Sequence, residues 1–399
     1  MGSAQEKRVT HSRAQPVELF LALTPPLGAG FPALAAIYLS VRKGRQLVRG
    51  LASDPFFLWW WAILLALGLA SAAFASDKGT AVVGVVSAAL CFWLYAVGRY
   101  LIEDPPAFLR WFMRAVGSLA ALGVVEALTK VEVVLSLGKQ SLVVMSPAHK
   151  GTLFGMGGNG LGPFFLYALV YGLGLLALPR GERASARIRR QVEGLLLFAV
   201  SAAAIGLLGI RNAIFGALVG TGVLVAGGFA PWVGALAAGG FGALMALYRP
   251  LGERIVAVFG AGAEAGRRMV AASALQMIKE HPFLGVGPHN FLVVYERYRN
   301  PQELENLGNP HNSFLRFGSE WGLPAAVLFF GWIYWRLWSA WRAAGRGLKV
   351  ADSAAALKRV LVAVLVGFTG TFMFDDPLFT FFEVLPFWLL LGLLENPAW

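Results

Sequence analysis

The chain has a single cysteine in 399 residues, Cys91, and it lies inside an apolar run. Disulfides and cysteine-based metal sites are both excluded. Charge is also scarce: 14% of residues are Asp, Glu, Lys or Arg, against 57% hydrophobic, whereas a soluble domain carries about a quarter charged. That composition excludes an ordinary water-soluble enzyme. Acidic residues are the rarer sign, 22 against 34 Lys and Arg, for a net charge of +12. A nucleic-acid binder needs such an excess on a soluble basic face. Here the positive charges sit between long apolar runs, so no nucleic-acid partner is expected. No cleavable signal peptide is expected either, because Met1 to Pro16 is polar and no small-residue cleavage site follows the first apolar run.

What the sequence does have is apolar length, with a mean hydropathy of +0.63. About eleven segments hold the roughly 20 mostly apolar residues that a spanning helix needs. They lie near 17–41, 55–76, 80–102, 107–127, 161–178, 193–209, 212–227, 230–248, 322–341, 357–374 and 378–394. The expected fold is an all-α integral membrane protein, a polytopic helix bundle of about 11–12 spans. Three parts are expected: an N-terminal membrane bundle over 1–248, a large loop over 249–321 that contains short helices, and C-terminal membrane helices over 322–399. Gly is abundant, at 48 residues, as befits helices that approach closely in a membrane.

Charge sets the orientation. Arg180, Arg183, Arg187, Arg189 and Arg190 stand against Glu182, and Arg336, Arg342, Arg346, Lys349, Lys358 and Arg359 against Asp352. With Arg42, Lys43, Arg45 and Arg49 they make three clusters that should be cytoplasmic. Counting spans from the first cluster puts Arg211, the 249–321 loop and Asp375-Asp376 outside, and the C-terminus inside. The first run does not fit, since one span there would leave Lys7, Arg8 and Arg13 outside. Pro25 and Pro26 break this run, so it is either a span or a hairpin that enters and leaves on one side.

The 249–321 loop is patterned for structure. Glu264 to Glu280 reads as an amphipathic helix, with Val270, Ala274, Met277 and Ile278 on one face, ended by Pro282. Asn300 then reads as an N-cap, with Pro301 at the first helical position, Glu303 as capping-box partner and Gly308 as the stop. Asn309 and Pro310 repeat the signal, which would put His311 in the first turn of a helix. There the positive end of the helix dipole disfavours imidazolium, and a neutral imidazole is what a general base requires. The same helix start attracts phosphate. The alternative is that His311 only caps or packs at the interface.

Arg211 sits between two apolar runs, at or just below the outer surface, either paired in a polar cavity or snorkelling to head groups. Arg267 and Arg268 have the same two readings. At least two outer arginines with one histidine make a coherent site for a phosphate-bearing substrate, because guanidinium forks hold phosphate oxygens. His281 and His289 read as structural or solvated. Glu320 either orients an arginine or marks the interface. Asp375-Asp376 reads as a polar cluster at a helix end, with a divalent-ion site as the weaker alternative. No metal or other cofactor is expected.

HPFLGVGPHNF (281–291) followed by NPHNSFLRFGSEWGLPAAVLFF (309–330) resembles the signature of the O-antigen ligase and polymerase family, in which "HPL-G-G-G-NF" leads to "HN--L----E-G--G" and a membrane helix. Arg211, in LLGIRNAIFGALVG, resembles that family's "SRGA" arginine, with Ile210 and Asn212 replacing the usual neighbours. In GRRMVAASAL, Arg267 resembles the arginine of "GR---W--AL", and the adjacent Arg268 can take that register instead. Asn159, in KGTLFGMGGNGLGPF, resembles the asparagine of "GTF--N--A". The resemblance covers about 145–330. It implies a metal-independent, inverting membrane glycosyltransferase in the bacterial inner membrane, with its active site facing the periplasm. The donor would be a glycan on undecaprenyl pyrophosphate. The acceptor would be a lipid A–core sugar in a ligase, or another lipid-linked repeat unit in a polymerase. His311 would be the general base, Arg211 and Arg267 would bind the pyrophosphate, and Asn312, Glu320, Asn159 and His289 would be accessory positions. A lipid-linked-sugar transporter is the rival from another class. It would bury charge mid-span, which the sequence does not show.

Overall fold

The computed structural model describes residues 16–23, 30–131, 133–137, 140–146, 152–153, 156–178, 183–229, 232–247, 263–302, 309–344, 353–379 and 381–399. Within them the chain is an all-α polytopic bundle, as its apolar periodicity requires. Among the described residues six helices are long and apolar enough to cross a membrane.

Expected segments become helices nearly one for one, and local chemistry explains where they start. Helices α4 (Pro55–Phe74), α5 (Lys78–Tyr100) and α6 (Pro105–Thr129) each follow an aspartate N-cap. Asp54, Asp77 and Asp104 accept from Phe57 N, Thr80 N and Ala107 N, each at 3.0 Å, which satisfies one otherwise orphaned donor per helix. Then come α7 (Gly158–Ala177), α8 (Ala184–Leu207), α9 (Arg211–Ala226) and α10 (Trp232–Leu247). Helix α11 (Ala263–Glu280), the five-residue α12 (Phe291–Tyr295) and α13 (Ser313–Trp321) carry the extramembrane loop. Helices α14 (Leu323–Ala343), α15 (Ser353–Gly370) and α16 (Phe381–Leu394) complete the bundle.

Two features differ from the sequence reading. The first apolar run is two short helices, α1 (Pro16–Leu23) and α2 (Gly30–Arg42). At 1.5 Å per residue they are about 12 and 20 Å long, each too short for a hydrocarbon core of about 30 Å. Lys43, just past α2, lies 3.1 Å from Glu18 at the start of α1 and 2.8 Å from Glu103. Both ends of the run therefore lie at one end of the bundle, and of the two readings the same-side hairpin is the one seen. Lys7, Arg8, Arg13, Pro25 and Pro26 lie outside the described residues. Secondly, α6 and α7 are joined by a four-stranded antiparallel sheet in the order β1 (Val133–Leu137), β2 (Gln140–Ser146), β3 (Thr152–Leu153), β4 (Met156–Gly157). In β1–β2, Leu135 pairs with Leu142 and Ser136 with Ser141. The 249–321 loop is thus not the only insert between spans.

The core is aromatic where α4, α5, α14 and α16 meet. Trp60 stacks on Trp332 with ring centroids 4.9 Å apart, and Trp332 on Trp388 at 6.1 Å. Helices α7 and α8 touch backbone to backbone: a Cβ added at Gly172 would lie 2.6 Å from the Gly194 carbonyl oxygen, an approach that only glycine allows. At one end of the bundle Arg99 holds Asp54 at 2.7 Å and Glu395 at 3.1 Å, while Arg336 Nε reaches Glu395 at 3.2 Å. Among the described residues, the basic stretches around 42–49, 183–190, 336–342 and 358–359 lie toward this end, opposite His311.

Candidate functional site

The opposite end gathers the starts of α7, α9, α13 and α16 with residues 371–379 between α15 and α16. Helix α13 begins one turn later than its sequence suggests. Asn312 is its N-cap and accepts from Leu315 N at 3.0 Å. Asn309 Oδ1 is instead taken by His311 N at 3.0 Å, a local Asx turn that competes with helix capping. His311 therefore precedes the cap, in the left-handed region at φ 46°, which histidine tolerates better than most residues. The expected place in the first helical turn is corrected, and with it the helix-dipole argument for a neutral ring. Asn300 likewise closes a turn, accepting from Gln302 N at 2.9 Å; Glu303 and Gly308 lie outside the described residues.

What stands beside the imidazole is a carboxylate. Asp375 Oδ1 lies 3.6 Å from His311 Nδ1, with the two side chains 18% and 22% exposed. The pair is shielded yet reachable. Asp375 Oδ2 accepts from Asn212 Nδ2 at 2.8 Å, and the Asp375 carbonyl accepts from Ser313 Oγ at 3.1 Å. Asn212 follows Arg211, the half-buried first residue of α9. The pairing Asn212–Asp375–His311 thus ties the Arg211 helix to the histidine. With 16 residues α9 is about 24 Å long, several ångströms short of a hydrocarbon core.

Arg267 and Arg268 sit on α11, whose Val270, Ala274 and Met277 are buried in a small cluster with Phe291 and Tyr295, against which Leu315 of α13 packs. Helices α11 and α13 run side by side in the same direction. A Cβ at Gly318 would lie 3.3 Å from Ile278 Cδ1, and Leu323 N donates to Pro282 O at 2.8 Å. The Arg267 end of α11 therefore lies at the His311 end of α13. At 100° per residue Arg267 is about 50° from the centre of the packed face and Arg268 about 150°. Arg267 is half-buried and Arg268 exposed accordingly. For Asn159, the second residue of α7, the backbone neighbourhood is informative: a Cβ at Gly160 would lie 3.1 Å from Glu383 Oε1, and one at Gly162 3.0 Å from Asn212 Oδ1.

Glu320 and His289 belong to a second layer. Glu320 is fully buried and accepts from His289 N at 2.8 Å, Phe291 N at 3.3 Å and Arg316 Nε at 3.2 Å. It orients an arginine and also clamps the 285–291 loop onto α13. Gly285, at φ 66°, is pressed against the Glu320 carbonyl, leaving no room for a side chain. His289 lines an apolar cavity with Phe317, Trp321, Phe379 and Trp388. Burial holds its imidazole below the usual histidine range, against the opposing pull of Glu320. Arg316 spans the two layers: Nη1 lies 3.5 Å from Asp376 Oδ2 and its guanidinium 4.2 Å above the Phe379 ring.

Asp375, Asn212, Arg316 and Asp376 are the residues that sequence reasoning passed over or left as a helix-end cluster. Asp376 is 3% exposed, and burial, opposed by Arg316 and His311, pushes its carboxyl from 3.8 up to about 7. A carboxyl whose folded pKa is raised contributes stability that is fully present below about 3.8 and lost as pH rises through about 7. Thermal unfolding of the detergent-solubilised protein should therefore show a falling midpoint across that window, and Asp376→Asn should flatten it. An unchanged slope in the variant would exclude Asp376 as the source.

Chemically, the arrangement offers an imidazole beside a carboxylate, with arginines on α9 and α11. No curated protein matches the chain. Residues 193–330, which carry Arg211, Arg267, Arg268, His289, His311, Asn312 and Glu320, match the family model described as O-antigen ligase.

Proposed function

We propose that the protein transfers a glycan from undecaprenyl pyrophosphate to an acceptor hydroxyl, with His311 as general base. The observation that carries this reading is the His311–Asp375 pair at 3.6 Å, joined through Asn212 to the helix that Arg211 begins. Asp375 at Nδ1 leaves Nε2 as the nitrogen that takes the acceptor proton, and it steadies the imidazolium that forms. The acceptor oxygen attacks the anomeric carbon as the carbon–oxygen bond to pyrophosphate breaks, so configuration inverts in one displacement. Arg211 and Arg267 meet the charge that grows on the departing pyrophosphate, a role in which guanidinium forks are effective and which in this reading needs no metal ion. The three basic clusters at the far end of the bundle support a bacterial inner-membrane protein with the His311 end toward the periplasm.

The acceptor we favour is a lipid A–core sugar, which makes the protein an O-antigen ligase; a polymerase would use a second lipid-linked repeat unit. Purified protein given lipid-linked donor with either lipid A–core or further donor separates the two. Glycan joined to lipid A–core, with no lengthening of carrier-linked chains, is the expected result. Lengthening alone would establish the polymerase, and neither product would remove the transferase reading.

A further inference from the structure

At the end of the bundle opposite His311, α3 (Gly44–Ala52) follows α2 and lies across the foot of α5. We propose that the basic groove it forms binds the phosphate of an anionic phospholipid. The groove encloses about 1200 Å3 and is lined by Arg42, Arg45, Gln46, Arg49 and Ser53, with Lys43, Tyr100 and Pro397 closing it. Among the described residues no carboxylate lines it. The nearest acids are committed elsewhere: Glu18 and Glu103 to Lys43, Asp54 to Arg99 and Arg336. Arg45 and Arg49, exposed and one turn apart on α3, have no acidic partner among the described residues. A cleft of one sign against low-dielectric walls concentrates positive potential, and guanidinium groups spaced one turn apart suit a phosphodiester.

A second observation points the same way. The Tyr100 hydroxyl is buried and has no hydrogen-bond partner, a donor left over beside the groove. The flanking surface selects a lipid over a free phosphate. Val41 and Val48 beside the arginines are 79% and 66% exposed, and Leu34 on α2 is 64% exposed, an apolar wall along which acyl chains would run. Leu47 and Leu51 on the other face of α3 pack against the core, so the arginine face is fixed at the rim of the bundle. Basic pockets of this kind beside membrane helices hold anionic head groups. The proposal rests on the protein's being embedded in a membrane and not on the transfer chemistry.

Native mass spectrometry of the full chain tests it, with phosphatidylglycerol, phosphatidylcholine and glycerol phosphate titrated in turn. Phosphatidylglycerol should bind in preference to phosphatidylcholine. Arg45→Gln with Arg49→Gln should weaken it about 30-fold, as expected for two lost cationic contacts. Arg183→Gln with Arg189→Gln, on a different basic stretch, should leave it unchanged. Should the double variant fold poorly, Tyr100→Phe, which removes only the unpartnered hydroxyl, should still weaken binding several-fold. Equal binding by the variants and the parent overturns the site. Glycerol phosphate binding as tightly as the lipid overturns the lipid assignment. An equal loss in the Arg183/Arg189 variant would mean general charge rather than this groove, and also overturns it.

Discussion

His311→Ala is expected to abolish glycan transfer, by about a thousandfold or more, because a general base contributes roughly 10²–10⁴ to such a step. The thermal midpoint should barely move. His311 sits before the helix cap and its ring is 22% exposed, so removing it opens no core cavity. Donor binding should also persist, since the pyrophosphate contacts are assigned to Arg211 and Arg267. Asp375→Asn should lower transfer as well, by misdirecting the ring tautomer, while Arg211→Lys should weaken donor use because a point charge lacks the fork. Radiolabelled donor supplies both readings, retention on the purified protein and release onto acceptor. Transfer that survives His311→Ala removes the histidine as base and leaves the mechanism without a proton acceptor.

Glu320→Ala should do the opposite, damaging the fold first. Its carboxylate is fully buried and takes donors from two backbone amides and Arg316. Truncation strands a partly buried guanidinium and two amides together, a loss of about 3 kcal/mol. Asp376 remains 3.5 Å from Arg316 and offsets part of it. The variant should unfold at a clearly lower temperature, and a protease should cut first within 281–302. Glu320→Gln, which can still accept from the amides, should sit between. A Glu320→Ala protein with an unchanged midpoint and an uncut loop would show that the clamp holds nothing.

The order in which these two residues could be read from sequence is instructive. His311 stands out because a polar, proline-marked segment interrupts apolar chain, and Glu320 because it lies within the same motif. Their partners do not. Asp375 is separated from His311 by an entire hairpin of α14 and α15, and its FDDP setting resembles any helix end. The only signal was that span counting puts both on one face. The helix start differs because Asn309-Pro310 is as good a capping pair on paper as Asn312, but Asn309 Oδ1 is taken by His311 N in a local turn while Asn312 caps Leu315 N. The long spans were legible because apolar length near 20 residues has few other uses in a protein. The sheet at 133–157 was not, since strands of two to seven residues leave too little periodicity to detect. The first run was ambiguous for a physical reason: the charge rule and apolar length pointed in opposite directions, and only the contact between Glu18 and Lys43 decides between them.

That contact also constrains how the protein can be built. Lys43 Nζ donates to the carbonyl of Leu101, 58 residues further along the chain, and Glu18 accepts from the backbone of Glu103. During synthesis the α1–α2 hairpin emerges first, yet its seat is created only after α4 and α5 have crossed and returned. Until then Glu18 and Lys43 have only each other, without the Leu101 carbonyl and Glu103 amide that complete their bonding. The hairpin therefore takes its place only after helices that follow it in the chain have taken theirs.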